Sequence, residues 1–102
     1  MSRNPLSMTD PQKCLGEAIV ILRENQPEAA RNLAQRAVEL GLDNTTVWGV
    51  IALANRDLAD YENAQLAADR AIARDPRNAR AYIVKADVFY AQENMKAAAA
   101  FY

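Results

Sequence analysis

The side chains with a capacity for acid-base or metal chemistry in this sequence are carboxylates, arginines and one thiol. Histidine is absent, which removes the commonest general base and the commonest metal ligand together. Asp57, Asp60 and Glu62 stand close together, as do Asp69 and Asp75, and neighbouring carboxylates could in principle divide the roles of acid and base. Their positions fall at helix ends or on solvated helix faces, where carboxylates cap helices and complement the dipole. No catalytic residue is expected, and the chain is not expected to be an enzyme. Arg70, Arg74, Arg77 and Arg80 form the only basic cluster, interleaved with Asp69 and Asp75. It reads as a solvated surface with local ion pairs, with docking of an acidic partner as the alternative. Cys14 is the only cysteine, so neither an intrachain disulfide nor a thiolate zinc site can form. No metal and no cofactor are expected.

The elements that carry these residues must come from a small chain. With 102 residues, 51% hydrophobic and 25% charged, the sequence supports one modest core rather than a disordered tail. A net charge of -1 lacks the basic footprint of nucleic-acid binding. No run approaches the ~18 apolar residues of a membrane span. Ser7, Thr9, Asp10, Gln12 and Lys13 interrupt any apolar stretch of signal-peptide length before Cys14, so a cytoplasmic location is expected, with Cys14 in the core. Asn44, Thr45 and Thr46 match a glycosylation acceptor, but a helix cap is the reading preferred for Asn44.

Residues 59–82, ADYENAQLAADRAIARDPRNARAY, spend many positions on alanine. Alanine favours helix yet buries little surface, so another element must approach closely. Shifting the chain by 34 residues on itself superimposes Ala18, Ala52 and Ala86, then Ala30, Ala64 and Ala98, then Ala37 and Ala71. Cys14, Trp48 and Tyr82 fall in the same register, as do Val38 and Ile72. Such a period is the mark of a stacked repeat; a generic three- or four-helix bundle would explain the periodicity within helices but not this register. Caps and breakers predict six helices, opening at Thr9 or Asp10, Pro27, Asp43 or Asn44, Asp60, Asn78 and Asn94, the sixth cut short. The breaks are expected near Asn25 to Gln26, Gly41 to Asn44, Ala59 to Asp60, Asp75 to Asn78 and Gln92 to Asn94.

With Trp48, Ala52, Tyr61, Ala64, Ala68, Ala71 and the run Asp75 to Asn78 in one unit, the chain resembles the tetratricopeptide repeat family. The first unit departs from the family pattern at Pro27 and Leu42, and the second at Asn55, which stands where an aromatic is usual. The resemblance implies an all-α, right-handed superhelical array of helix-turn-helix repeats, an α-solenoid: an N-terminal segment 1–10, repeats at 11–44 and 45–78, and a truncated third at 79–102.

The resemblance also implies a concave groove lined by one row of each first helix: Leu15, Ile19 and Leu22, then Gly49, Leu53 and Arg56, then Ile83, Asp87 and Tyr90. The lysines and asparagines with which some members grip a terminal carboxylate are missing; Leu15 and Ile19 replace two of them, and only Arg80 keeps a basic residue at a matching place. The expected function is a protein-interaction scaffold whose groove takes an apolar or amphipathic peptide, oriented by Arg56 and Asp87. The groove residues could instead pack on neighbouring helices or on the segment around Leu6 and Met8. The alternative function is an N-terminal oligomerisation or regulatory domain of a larger enzyme. Expected partners are a protein or peptide, and a second copy through an apolar C-terminal surface of Tyr90, Ala98, Phe101 and Tyr102; neither nucleic acid nor membrane is expected.

Overall fold

The computed structural model describes residues 9–100; the expectations placed on Leu6, Met8, Phe101 and Tyr102 lie outside the described residues. Local chemistry sets the helix boundaries. The Asp10 carboxylate accepts from the amides of Gln12 (2.9 Å) and Lys13 (3.4 Å), and Pro11 supplies the first residue of α1 (Pro11–Arg23). Pro27 likewise supplies the first residue of α2 (Pro27–Glu39), without a side-chain cap before it. Asn44 accepts from the Val47 amide (2.9 Å) to start α3 (Thr45–Asp57), and Asp60 from the Asn63 amide (3.4 Å) to start α4 (Tyr61–Arg74).

Three of these helices end in one motif. Asn25, Gly41 and Ala59 take φ values of 62°, 102° and 60°. In each case the next residue's amide reaches back to a carbonyl one turn inside the helix: Gln26 to Ile21 (3.2 Å), Leu42 to Ala37 (3.0 Å) and Asp60 to Asn55 (2.9 Å). Asparagine and glycine tolerate this left-handed backbone; Ala59 adopts it at a steric cost of roughly 1–2 kcal/mol. The fourth helix ends differently, on extended Asp75 before Pro76. The Asn78 side chain then accepts from the Arg80 amide (2.9 Å) at the start of α5 (Ala79–Ala100).

The fold is all-helical, with five helices and no strands among the described residues. The count of six is corrected here: α5 runs unbroken for 22 residues through Gln92 to Asn94. Asn94 could cap a helix only if the chain had already left helical geometry. No proline or glycine at Gln92, Glu93 or Asn94 makes it leave.

Packing follows the repeat register. Helix α1 lies on α2 and α3 on α4, α2 contacts α3, and α5 closes on α4 and α3. Ala18, Ala30, Ala34, Ala37, Ala52, Ala64, Ala68 and Ala71 are all fully buried, so the contacts between helices are set by methyl groups. Ile21, Leu33, Val47 and Val88 supply the bulk between them. Trp48 lies only partly inside. Its indole N–H donates to Asp43 (2.7 Å), and the Arg70 guanidinium stacks 4.7 Å from its ring centroid.

Candidate interaction groove

A groove of about 300 Å³ runs between α1, α3 and α5. Helix α1 contributes Ile19, Leu22 and Arg23; α3 contributes Gly49, Val50 and Leu53, with Thr45 and Thr46 at its mouth; α5 contributes Arg80, Ala81 and Val84. The three helices are held to this spacing by small side chains. A Cβ built on Gly49 would meet only Val84 Cγ2, at 4.0 Å, so this stretch of the floor is open. One end is fastened by the Thr45 hydroxyl, which donates to the Ala71 carbonyl (2.8 Å) and ties the start of α3 to the last turn of α4.

The floor is apolar and the rim carries charge. Arg23 and Arg80 are both exposed, and among the described residues neither forms an ion pair. Arg56, expected to orient a partner, is already occupied: its guanidinium meets Asp57 at 2.9 Å and Asp87 at 3.9 Å. The cations left to face a ligand are therefore Arg23 and Arg80.

Of the residues read from the sequence as groove-lining, Ile19, Leu22, Gly49 and Leu53 come together here. Leu15 lies beneath them in the core, 6% exposed. Ile83 and Tyr90 stand out on α5 at 58% and 64% exposure; they share one helical row with Arg80 and Asp87, and of that row Arg80 alone lines the groove. Sequence reasoning missed Arg23, Thr45, Thr46, Val50, Asn78, Ala81 and Val84. The signal for Val84 was present in the Ala81, Val84, Val88 spacing, but apolar residues surround α5 and offer competing stripes.

Several aspartates are committed elsewhere. Asp57 pairs with Arg56, Asp69 with Lys85 (2.8 Å) and Asp43 with Arg74 (2.6 Å), while Asp60 caps α4 and Asp75 accepts from the Arg77 amide (3.3 Å). Burial pushes the Cys14 thiol up from its ordinary pKa, against a smaller opposing pull from Arg36, so it stays protonated inside the core. Among the described residues no group of three metal-ligating side chains occurs. A second, polar recess of about 310 Å³ lies on the side of α2, α3 and α4, and Asn55, 3% exposed, lines it.

The sequence profile of the tetratricopeptide repeat family matches residues 50–102, from within α3 to the end of the chain. The chain belongs to the tetratricopeptide repeat family. No curated protein matches it, and no solved structure does. Repeats of this family generally mediate protein-protein interaction and are typically non-catalytic scaffolds. No helix among the described residues is long and apolar enough to cross a membrane.

Proposed function

We propose that this tetratricopeptide unit binds an amphipathic peptide segment in the groove between α1, α3 and α5. The peptide's apolar side lies on Ile19, Leu22, Leu53 and Val84, and an acidic residue beside it meets Arg23 or Arg80. The reading rests on one combination, an apolar floor with two uncommitted arginines on its rim. Removing apolar surface from water supplies the affinity, and the exposed charges set direction and register. This is helix-in-groove recognition, in which spaced apolar anchors are read by a preformed concavity.

Peptides selected on the full chain from a random displayed library should carry spaced apolar residues next to aspartate or glutamate. Binding should weaken as ionic strength rises, because salt screens exposed charges. The double variant Ile19→Asp with Leu53→Asp should lose binding while its circular dichroism spectrum and unfolding transition persist, since both positions are only partly buried. Selected peptides that bind the folded double variant at wild-type affinity would place the site elsewhere.

A further inference from the structure

Asn55 departs from the repeat register of this chain. Shifted by 34 residues, its counterparts are Ile21 and Phe89, and Ile21 is packed at 2% exposure. A carboxamide thus stands in α3 where the neighbouring repeats carry large apolar side chains. It lines the polar recess of about 310 Å³ between α2, α3 and α4. Asn55 is 3% exposed, and among the described residues its side-chain amide has no hydrogen-bond partner. The amide is not sealed in either. The one sealed side-chain nitrogen or oxygen without a partner among the described residues is Arg36 Nε, so the Asn55 amide meets the recess that it lines. A buried carboxamide presents two donors and an acceptor there, and groups of this kind are costly to leave unmatched.

The walls set the sign of the ligand. Arg31 of α2, half-buried, and Arg70 of α4 both line the recess, and among the described residues neither forms an ion pair. Arg70 is held in place by the Trp48 ring, 4.7 Å from its centroid. The carboxylate of the lining, Asp60, is already engaged: Oδ1 accepts from the Asn63 main-chain amide (3.4 Å) and Oδ2 from the Asn63 side chain (2.8 Å). The recess is therefore cationic. Ile51, Leu66 and Ala67 give it an apolar wall.

We infer that this recess binds a carboxylate carried on a short aliphatic stem. The stem lies on Ile51, Leu66 and Ala67, the Asn55 amide donates to a carboxylate oxygen, and Arg31 and Arg70 supply the opposing charge. A single negative charge suits the site better than a phosphate dianion, because Asp60 stands in the same wall. The carboxylate comes from an acidic side chain of a partner or from a free short-chain acid, and the site reads the same chemistry in both. No residue of the recess also lines the groove between α1, α3 and α5, so this binding stands or falls apart from the peptide groove.

Heteronuclear NMR of the full chain tests it, following the Asn55 side-chain amide and the indole of Trp48, the only tryptophan. The probes are butyrate and an end-blocked peptide with glutamate as its sole charged residue; butyramide and the matching glutamine peptide are the neutral controls. Butyrate should shift both resonances saturably, with a midpoint on the order of millimolar for so few atoms, and butyramide should not. Arg31→Gln should weaken the response about threefold to fivefold, and Asn55→Ile, which installs the residue of the first repeat, should abolish it. The variant Ile19→Asp with Leu53→Asp should respond as wild type. A glutamate peptide that binds about tenfold or more tightly than butyrate assigns the ligand to an acidic partner segment, whereas similar affinities assign it to a free acid. No saturable response to either carboxylate would overturn the inference. So would equal responses to butyrate and butyramide, or a response unaltered in both Arg31→Gln and Arg70→Gln.

Discussion

Asp43 collects three groups into one corner of the molecule. It accepts from Arg74 Nε (2.6 Å) and from the Trp48 indole (2.7 Å), and the Trp48 ring in turn receives the Arg70 guanidinium. The hydrogen bond from Arg74, then that from Trp48, holds the Asp43 carboxyl below the usual aspartate range. A depressed carboxyl contributes stability above its unfolded-state pKa, and that contribution is lost as pH falls through the lower folded value. Both partners are about half exposed, so water screens the pair and the stability effect is small. Titration is the more sensitive readout. Arg74→Gln should move the Asp43 midpoint, followed by carboxyl carbon resonances, back up toward the ordinary aspartate value. An unchanged midpoint would mean that the pair does not persist in solution. The local ion pairs expected between Asp69, Asp75 and the arginines from Arg70 to Arg80 are not the ones formed: Asp69 pairs with Lys85 and Arg74 with Asp43, and the exchange of Asp43 across the α2–α3 loop with the end of α4 links residues too distant in the chain for any local spacing rule to find.

At the scale of the helices, alanine decides what packs. Ala64 is fully buried in α4, and Ala98, its register mate, is exposed on α5. Replacing Ala64 with leucine should overpack the α3–α4 contact and cost about 1–3 kcal/mol in urea unfolding. The same replacement at Ala98, which is exposed, should leave stability within about 0.5 kcal/mol. Equal effects at the two sites would show that Ala98 is packed as closely as Ala64. The helix breaks at Gly41 and at Asp75–Pro76 were legible because glycine and proline impose them locally. The break expected at Gln92 to Asn94 rested on Asn94 as a cap. Capping residues stabilise an end without creating one, and only tertiary contacts could have drawn the chain into a turn there. Part of the groove was legible for the converse reason: Ile19, Leu22 and Leu53 lie one step round from a clear core stripe, whereas α5 carries apolar residues on every side among its charged ones and its orientation is fixed only by packing on α3 and α4.

The groove belongs to the whole molecule, since its walls come from all three repeats, and Gly49 is where stability and binding are set against each other. Glycine inside a helix costs about 1 kcal/mol relative to alanine, through the backbone freedom lost on folding. At position 49 a methyl group would meet only Val84 Cγ2 at an ordinary contact distance, so no clash opposes the replacement. Gly49→Ala should therefore raise the unfolding free energy by up to about 1 kcal/mol, seen as a higher urea midpoint with the m-value unchanged. The added methyl group would also occupy part of a floor that offers only about 300 Å³. If a peptide packs on that floor, overcrowding on the order of 1 kcal/mol should weaken its binding roughly fivefold to tenfold. The two measurements are expected to move in opposite directions in the same protein. A loss of stability would refute the open space beside Gly49, and a gain in stability with unaltered affinity would show that the bound peptide does not reach the floor between Ile19, Leu53 and Val84.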